Sequence, residues 1–78
     1  MLNWDDYRVF LDVARSGSLS AASSTLKINP ATVGRRITRL EESLGSKLFN
    51  KLPRGYQLTQ AGSELQEHIE HIERTEKK

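Results

Sequence analysis

The sequence predicts a mainly α fold, a winged helix-turn-helix with a three-helix core, a small β-hairpin wing and a long C-terminal linker helix. Three observations predict it. Leu19, Ala22 and Leu26 form one apolar stripe and Val33, Ile37, Leu40 and Leu44 a second, each at the three/four spacing of an amphipathic helix. Only Lys27, Ile28 and Asn29 separate them before Pro30, a joint that admits little but two helices packed at a steep angle. Beyond Gly45 come two short candidate strands around a turn containing proline and glycine, and then a heptad-spaced apolar series.

The first helix is expected over Leu2 to Ser16, capped by Asn3, with Asp5 and Asp6 in its positive first turn and Trp4, Tyr7, Phe10, Leu11 and Ala14 on one face. Leu2 and Tyr7 are placed to staple that cap. Ser16 and Gly17 stop the helix, because glycine takes the left-handed C-terminal position without steric cost. Ser18 caps the second helix, which runs to about Lys27. Asn29 caps the third, Pro30 sits where its missing N–H costs nothing, and Gly45 closes it. At 100° per residue, Val33, Ile37, Leu40 and Leu44 fall within roughly 40° of one direction. Ala31, Arg35, Thr38 and Glu42 lie opposite, with Thr32 and Arg39 beside them and Arg36 nearer the flank.

Lys47 to Lys51 and Tyr56 to Leu58 read as the strands of a hairpin wing around Leu52, Pro53, Arg54 and Gly55. A hairpin this small cannot stand alone, so Leu48 and Phe49 are expected to pack on the helices. The last helix, about Gln60 to Arg74 and begun by Thr59, places Leu58, Leu65 and Ile72 at heptad spacing with Gly62 and Ile69 interleaved. Glu64, Glu67, Glu70, Glu73 and Glu76 make it acidic, ill suited to a polyanion and suited to pairing with a second copy; Glu76, Lys77 and Lys78 are expected to fray. Residues 1–58 are therefore expected to form the winged domain and residues 59–78 a linker and dimerisation helix.

A chain of 78 residues has room for one small domain, whose core leaves stability marginal, and oligomerisation is the expected supplement. It has no cysteine, which excludes disulfides and thiolate metal sites and fits a reducing cytoplasm. No run approaches a membrane span, and Met1, Leu2, Asn3, Trp4 and Asp5 do not begin a signal sequence, so the expectation is a cytoplasmic, nucleoid-associated protein with no membrane partner. Net charge is only +2, but Lys27 to Arg54 holds seven basic residues against Glu41 and Glu42, a local balance of +5 that leaves −3 for the remainder. That distribution is the electrostatic footprint of a phosphate-facing surface.

On that surface the third helix supplies donors of the kind a DNA major groove requires. Arg35 is the candidate for bidentate reading of guanine, and Thr32 and Thr38 are placed to touch a thymine methyl. Arg39, Arg36, Lys27, Lys51 and Arg54 are expected mainly to neutralise phosphates, and Ser18 and Ser20 open a helix whose free N–H groups suit another, although Ser18 reads equally as a plain cap. Gly34 inside a helix costs about 1 kcal/mol against alanine, which either close approach to DNA or simple tolerance explains. Trp4 and Tyr56 read as packing residues. Glu64, His68 and His71 read as a solvated acidic face rather than a metal site, since a fourth ligand is lacking, and no cofactor is expected. The chain offers no nucleophile set, no phosphate-cradling glycine loop and no pocket for a small-molecule ligand, so catalysis is not expected. A winged fold serving only protein interaction is the competing reading, and seven clustered cations argue against it.

The chain resembles the N-terminal DNA-binding domain of LysR-type transcriptional regulators of bacteria. The resemblance spans nearly the whole chain and rests on Gly17, Ser18, Leu19, Ser20, Ala21 and Ala22, then Leu26, Pro30 to Ile37, Leu40, Glu41, Leu44, Gly45, Leu48, Phe49, Arg54, Leu58, Thr59, Ala61 and Gly62. It implies a homodimer, paired through the last helix, that binds double-stranded DNA at an interrupted palindromic operator. It further implies base and backbone contacts from Pro30, Ala31, Thr32, Gly34 and Arg35 and a wing contact from Arg54; helix phase sets Thr38 and Arg39 on the same groove-facing surface. Leu58, Gly62, Leu65, Ile69 and Ile72 are the expected dimer interface. Serine-glutamine-proline is frequent in the family where this chain has Asn29, Pro30 and Ala31, and serine where it has Gly34, so side-chain hydrogen bonds to bases are lost. Lys51 stands where arginine is common and lacks the bidentate fork. The family's effector-sensing domain lies outside these 78 residues, as expected of either an excised domain or a natural short relative.

Overall fold

The computed structural model describes residues 4–76, in the order α1 (Trp4–Ser16), α2 (Leu19–Leu26), α3 (Pro30–Leu44), β1 (Phe49–Leu52), β2 (Gly55–Leu58) and α4 (Gln60–Glu76). The cap at Asn3 and the staple from Leu2 fall outside the described residues. Helix α2 starts where Ser18 Oγ accepts from the Ala21 N–H at 3.0 Å, and α3 starts where Asn29 Oδ1 accepts from the Ala31 N–H at 2.7 Å. Each cap satisfies an amide that the first helical turn leaves unpaired. Gly45 closes α3 in the left-handed region, as expected, but α2 is closed by Lys27 at φ 60°, a left-handed position reached without glycine. Helix α4 runs to Glu76, past the end expected at Arg74.

The wing is a two-stranded antiparallel hairpin pairing Phe49 with Leu58, Asn50 with Gln57, Lys51 with Tyr56 and Leu52 with Gly55. Only Pro53 and Arg54 turn the chain, so the loop is tighter than the four residues expected, and Lys47 precedes the first strand. Gly55, at φ 136°, follows the turn at the hairpin's tip and lies against the residue that ends α1: a Cβ there would strike the carbonyl of Gly17, which instead accepts from the Tyr56 N–H at 2.9 Å. Glu41 ties the other side. Its Oε2 accepts from the Leu48 and Phe49 N–H groups at 2.9 and 3.3 Å, joining α3 to the entry of the wing.

The core gathers Val9, Phe10, Leu11 and Val13 of α1, Ala22 of α2, Val33, Ile37 and Leu40 of α3, Leu48, Phe49, and Ile69 of α4. Phe10, Phe49 and Tyr56 form an aromatic chain with centroids 5.4 and 5.7 Å apart, which joins the first helix to the wing. Two expected core positions lie outside it: Leu44, at the end of α3 where the stripe outruns its partners, is 39% exposed, and Trp4 is 44% exposed beside Tyr7. Of the face expected on α1, Phe10 and Leu11 are buried and Tyr7 and Ala14 pack partly buried against the core, while Asp6, Val9 and Val13, outside that expectation, are buried with them. The division expected between residues 58 and 59 does not divide the packing, since Ile69 of α4 is part of the same core.

Candidate nucleic-acid interface

Helix α3 and the wing form the walls of an open groove lined from the helix by Pro30, Ala31, Gly34, Arg35, Thr38 and Arg39, with Glu41 and Glu42 at its far end, and from the wing side by Lys47, Lys51 and Tyr56. The helix presents this surface because Val33, Ile37 and Leu40 hold its opposite side in the core. Pro30, Ala31, Arg35, Thr38 and Arg39 are exposed, while Thr32 and Gly34 are half-buried. Arg35 Nη2 lies 3.3 Å from Thr32 Oγ1 and donates to it, so the arginine expected to read bases is folded back along the helix's first turns. At Gly34 a Cβ would meet only Leu19 Cδ1 at an ordinary 3.5 Å, so nothing within the chain requires glycine.

The expected phosphate contacts divide between the groove and its surroundings. Lys51 lines the groove, Arg54 occupies the exposed turn of the wing, and Lys27 sits exposed at the end of α2. Ser18 is engaged as the α2 cap, and Ser20 is exposed one turn further on. Arg39 and Arg36, both expected to neutralise phosphates, share a partner within the fold. Arg39 Nε and Nη2 donate to Asp6 Oδ2 and Oδ1 at 3.2 and 2.7 Å, and Arg36 Nη1 lies 3.6 Å from the same Oδ1. The hydrogen bond that Arg39 donates to Asp6, and the negative charge of that carboxylate, raise the guanidinium's pKa above its ordinary value.

The roles of Asp6 and Glu41 are not among the expectations from sequence. Asp6 is one of two acids favoured in a first helical turn, but it lies three, four and seven residues before Val9, Phe10 and Val13 and therefore on the buried face. An acid inside a core stripe requires a cation, and that was the available signal. Glu41 gave no comparable signal, because its partners are backbone N–H groups that any sequence would supply.

Most residues expected at the dimer seam make contacts within the protomer. Ile69 is 2% exposed within the protomer, and Gly62 is buried where a Cβ would strike the carbonyl of Leu48. Leu58 and Leu65 are half-buried and pack on the same core, so of the five expected interface residues three belong to or pack on that cluster, Gly62 is buried against Leu48, and Ile72 lies outside it. The heptad spacing is real, but its inner partner is the winged domain itself. Arg15 of α1 reinforces that docking with Glu70 at 3.0 Å and Glu73 at 3.3 Å, and the hydrogen bond to Glu70 heads the causes that hold its guanidinium above the ordinary value.

Comparison with known proteins agrees with this architecture. The transcriptional activator TtdR of Escherichia coli K12 is 43% identical over 67 residues, 86% of this chain and 22% of TtdR, so the chain spans about a fifth of that relative. A solved complex of the CbnR DNA-binding domain with DNA superposes with a TM-score of 0.89 at 28% identity, over 95% of this chain and 85% of that one. The full-length virulence activator AphB of Vibrio cholerae, described as a member of the LysR-type family, superposes with a TM-score of 0.87 at 32% identity over 95% of this chain and 26% of its own. The model of bacterial regulatory helix-turn-helix proteins of the lysR family matches residues 4–63, and the chain belongs to that family.

Proposed function

We propose that the chain binds double-stranded DNA as the winged helix-turn-helix of a LysR-type transcriptional regulator, with α3 in the major groove and the wing along the adjoining backbone. The observation that carries this reading is the groove itself: the exposed cations of α3 face Lys47 and Lys51 across it, on a fold shared with a domain solved in complex with DNA. Within it, Pro30, Ala31, Thr32, Gly34, Arg35 and Thr38 meet base edges and the adjoining backbone. Lys27, Arg36, Arg39, Lys51, Arg54 and the start of α2 at Ser18 and Ser20 meet phosphates.

A homodimer on an interrupted palindrome would set two copies of α3 about 34 Å apart, one helical turn of DNA. Because Gly62 and Ile69 are committed to the protomer, the α4 contact of such a dimer rests on Ile72, the outer edge of Leu65 and the polar face around Glu64, His68 and His71. A cytoplasmic, nucleoid-bound location follows from the same reading.

Selection of bound duplexes from a random pool at two salt concentrations tests it. The expected result is a dyadic consensus with affinity falling steeply as salt rises, through counterion release. Replacing Arg35 with alanine is expected to weaken the selected site by about 1–3 kcal/mol and to relax one position of each half-site. Equal binding by parent and Arg35→Ala across all selected duplexes would remove α3 as the reader.

A further inference from the structure

We propose that Asp6 is a positioning residue for DNA contact, gripping the Nε–Nη2 edge of the Arg39 guanidinium from inside the fold so that the adjoining Nη1–Nη2 edge is held toward the groove; this rests on the DNA reading above. Asp6 belongs to α1, outside the helix-turn-helix, and its side chain is 3% exposed, whereas that of Arg39 is 58% exposed. The two carboxylate oxygens take Nε–H and one N–H of Nη2. A guanidinium has five N–H donors, so both on Nη1 and one on Nη2 remain. They form the planar end of the fork, the geometry that pairs bidentately with two phosphate oxygens. Arg39 lines the groove between α3 and the wing, and lies nine residues after Pro30, past the N-terminal turns that meet bases, which points to a phosphate as the group it holds.

Asp6 exerts two opposed effects on a polyanion. As a negative charge beneath the recognition helix it offsets one of the cations facing DNA. As a clamp it fixes a long side chain before encounter, removing rotamer freedom that would otherwise be lost on binding. The arrangement favours the second effect. The carboxylate is directed inward at its own arginines, with Arg36 completing the neutralisation at 3.6 Å, so little of its charge is left to repel a phosphate on the far side of Arg39.

These two effects give opposite signs in one measurement. The 78-residue chain and its Asp6→Asn variant are titrated with a duplex selected by the parent, at several salt concentrations. A clamp predicts weaker binding, by about tenfold or more, the scale of a charge-assisted contact. It also predicts a slope of log affinity against log salt shallower by about one, as one phosphate contact disappears. In an Arg39→Gln background, Asp6→Asn is expected to have no further effect, whereas damage to the fold would weaken both backgrounds alike. Tighter or unchanged binding by Asp6→Asn, or additive losses, would overturn the proposal.

Arg39→Lys provides the second route and leaves Asp6 in place. Lysine keeps the charge but cannot be gripped side-on, so it is expected to lose as much affinity as Arg39→Gln; binding equal to the parent would sink the clamp. A parent that selects no duplex at either salt overturns the DNA reading, and the clamp with it. A parent that binds while Asp6→Asn is indifferent overturns the clamp alone.

Discussion

Replacing Gly62 with alanine and, separately, Gly34 with alanine makes the same chemical change at two helical glycines, and the structure predicts opposite signs. Neither glycine has positive φ among the described residues, so the backbone accepts alanine at both and the intrinsic gain is up to about 1 kcal/mol each. At Gly34 the new methyl makes one ordinary contact, 3.5 Å from Leu19, and the gain is kept. At Gly62 it falls on the Leu48 carbonyl oxygen, 3.1 Å from the carbonyl carbon and 2.8 Å from Leu58 Cδ2. The first turn of α4 must then withdraw. That withdrawal strains a chain of hydrogen bonds: Thr59 N–H to Leu48 O at 3.0 Å, Thr59 Oγ1 to Lys47 O at 2.6 Å, and Gly62 N–H to Thr59 Oγ1 at 3.0 Å. Overpacking costs about 1–3 kcal/mol, and a weakened hydrogen bond adds about 1 kcal/mol, so after the helix-propensity gain the net loss is about 1–3 kcal/mol. Thermal and urea unfolding followed by circular dichroism at several protein concentrations checks this. Gly62→Ala is expected to lower Tm by roughly 5–20 °C and Gly34→Ala to raise it by roughly 3–8 °C. Equal stability of the two variants would refute the packing argument. A Gly62→Ala effect confined to dilute protein would restore Gly62 to a dimer seam.

Three further outcomes are expected. Glu41→Ala leaves the N–H groups of Leu48 and Phe49 without their shared acceptor and is expected to cost about 2 kcal/mol, with amide exchange accelerating first at the entry to β1; Glu41→Gln recovers part of it. Asn29→Ala removes the α3 cap and is expected to cost about 1 kcal/mol in urea unfolding, and its loss is expected to add to that of Ser18→Ala, since the two caps serve different helices. Ile72→Asp is expected to shift sedimentation from dimer toward monomer while leaving the far-ultraviolet spectrum of the protomer unchanged, and an unaltered sedimentation coefficient would remove α4 from the interface.

The parts of this fold that local chemistry dictates were legible in the chain. Ser18, Asn29 with Pro30, and Gly45 each act within one helical turn, and each stands where the sequence alone puts it. The groove followed as well, because periodicity separates Val33, Ile37 and Leu40 from Arg35 and Thr38 whatever the partner may be. Partners themselves are another matter. Apolar periodicity marks a face to be covered without saying by what, and α4 shows the consequence: Leu58, Leu65 and Ile69 satisfy a heptad as well as they satisfy their own domain. Gly62 could have decided between the two, since glycine early in a helix signals a close neighbour, yet a second α4 and the Leu48 carbonyl would both account for it.

Asp6 carries the same lesson for the site. Its contact with Arg39 spans 33 positions and joins two helices whose relative placement no local pattern encodes. Once α1 lies across α3, the buried carboxylate excludes a free Arg39, because an uncompensated charge at 3% exposure would cost more than the rotamer freedom the arginine gives up. Arg35 and Thr38 owe their exposure to helix phase alone, whereas the direction of Arg39 is set from beneath the helix. A substitution on α1, remote from the groove in sequence, therefore alters the cationic surface of α3 without touching a residue on its exposed side.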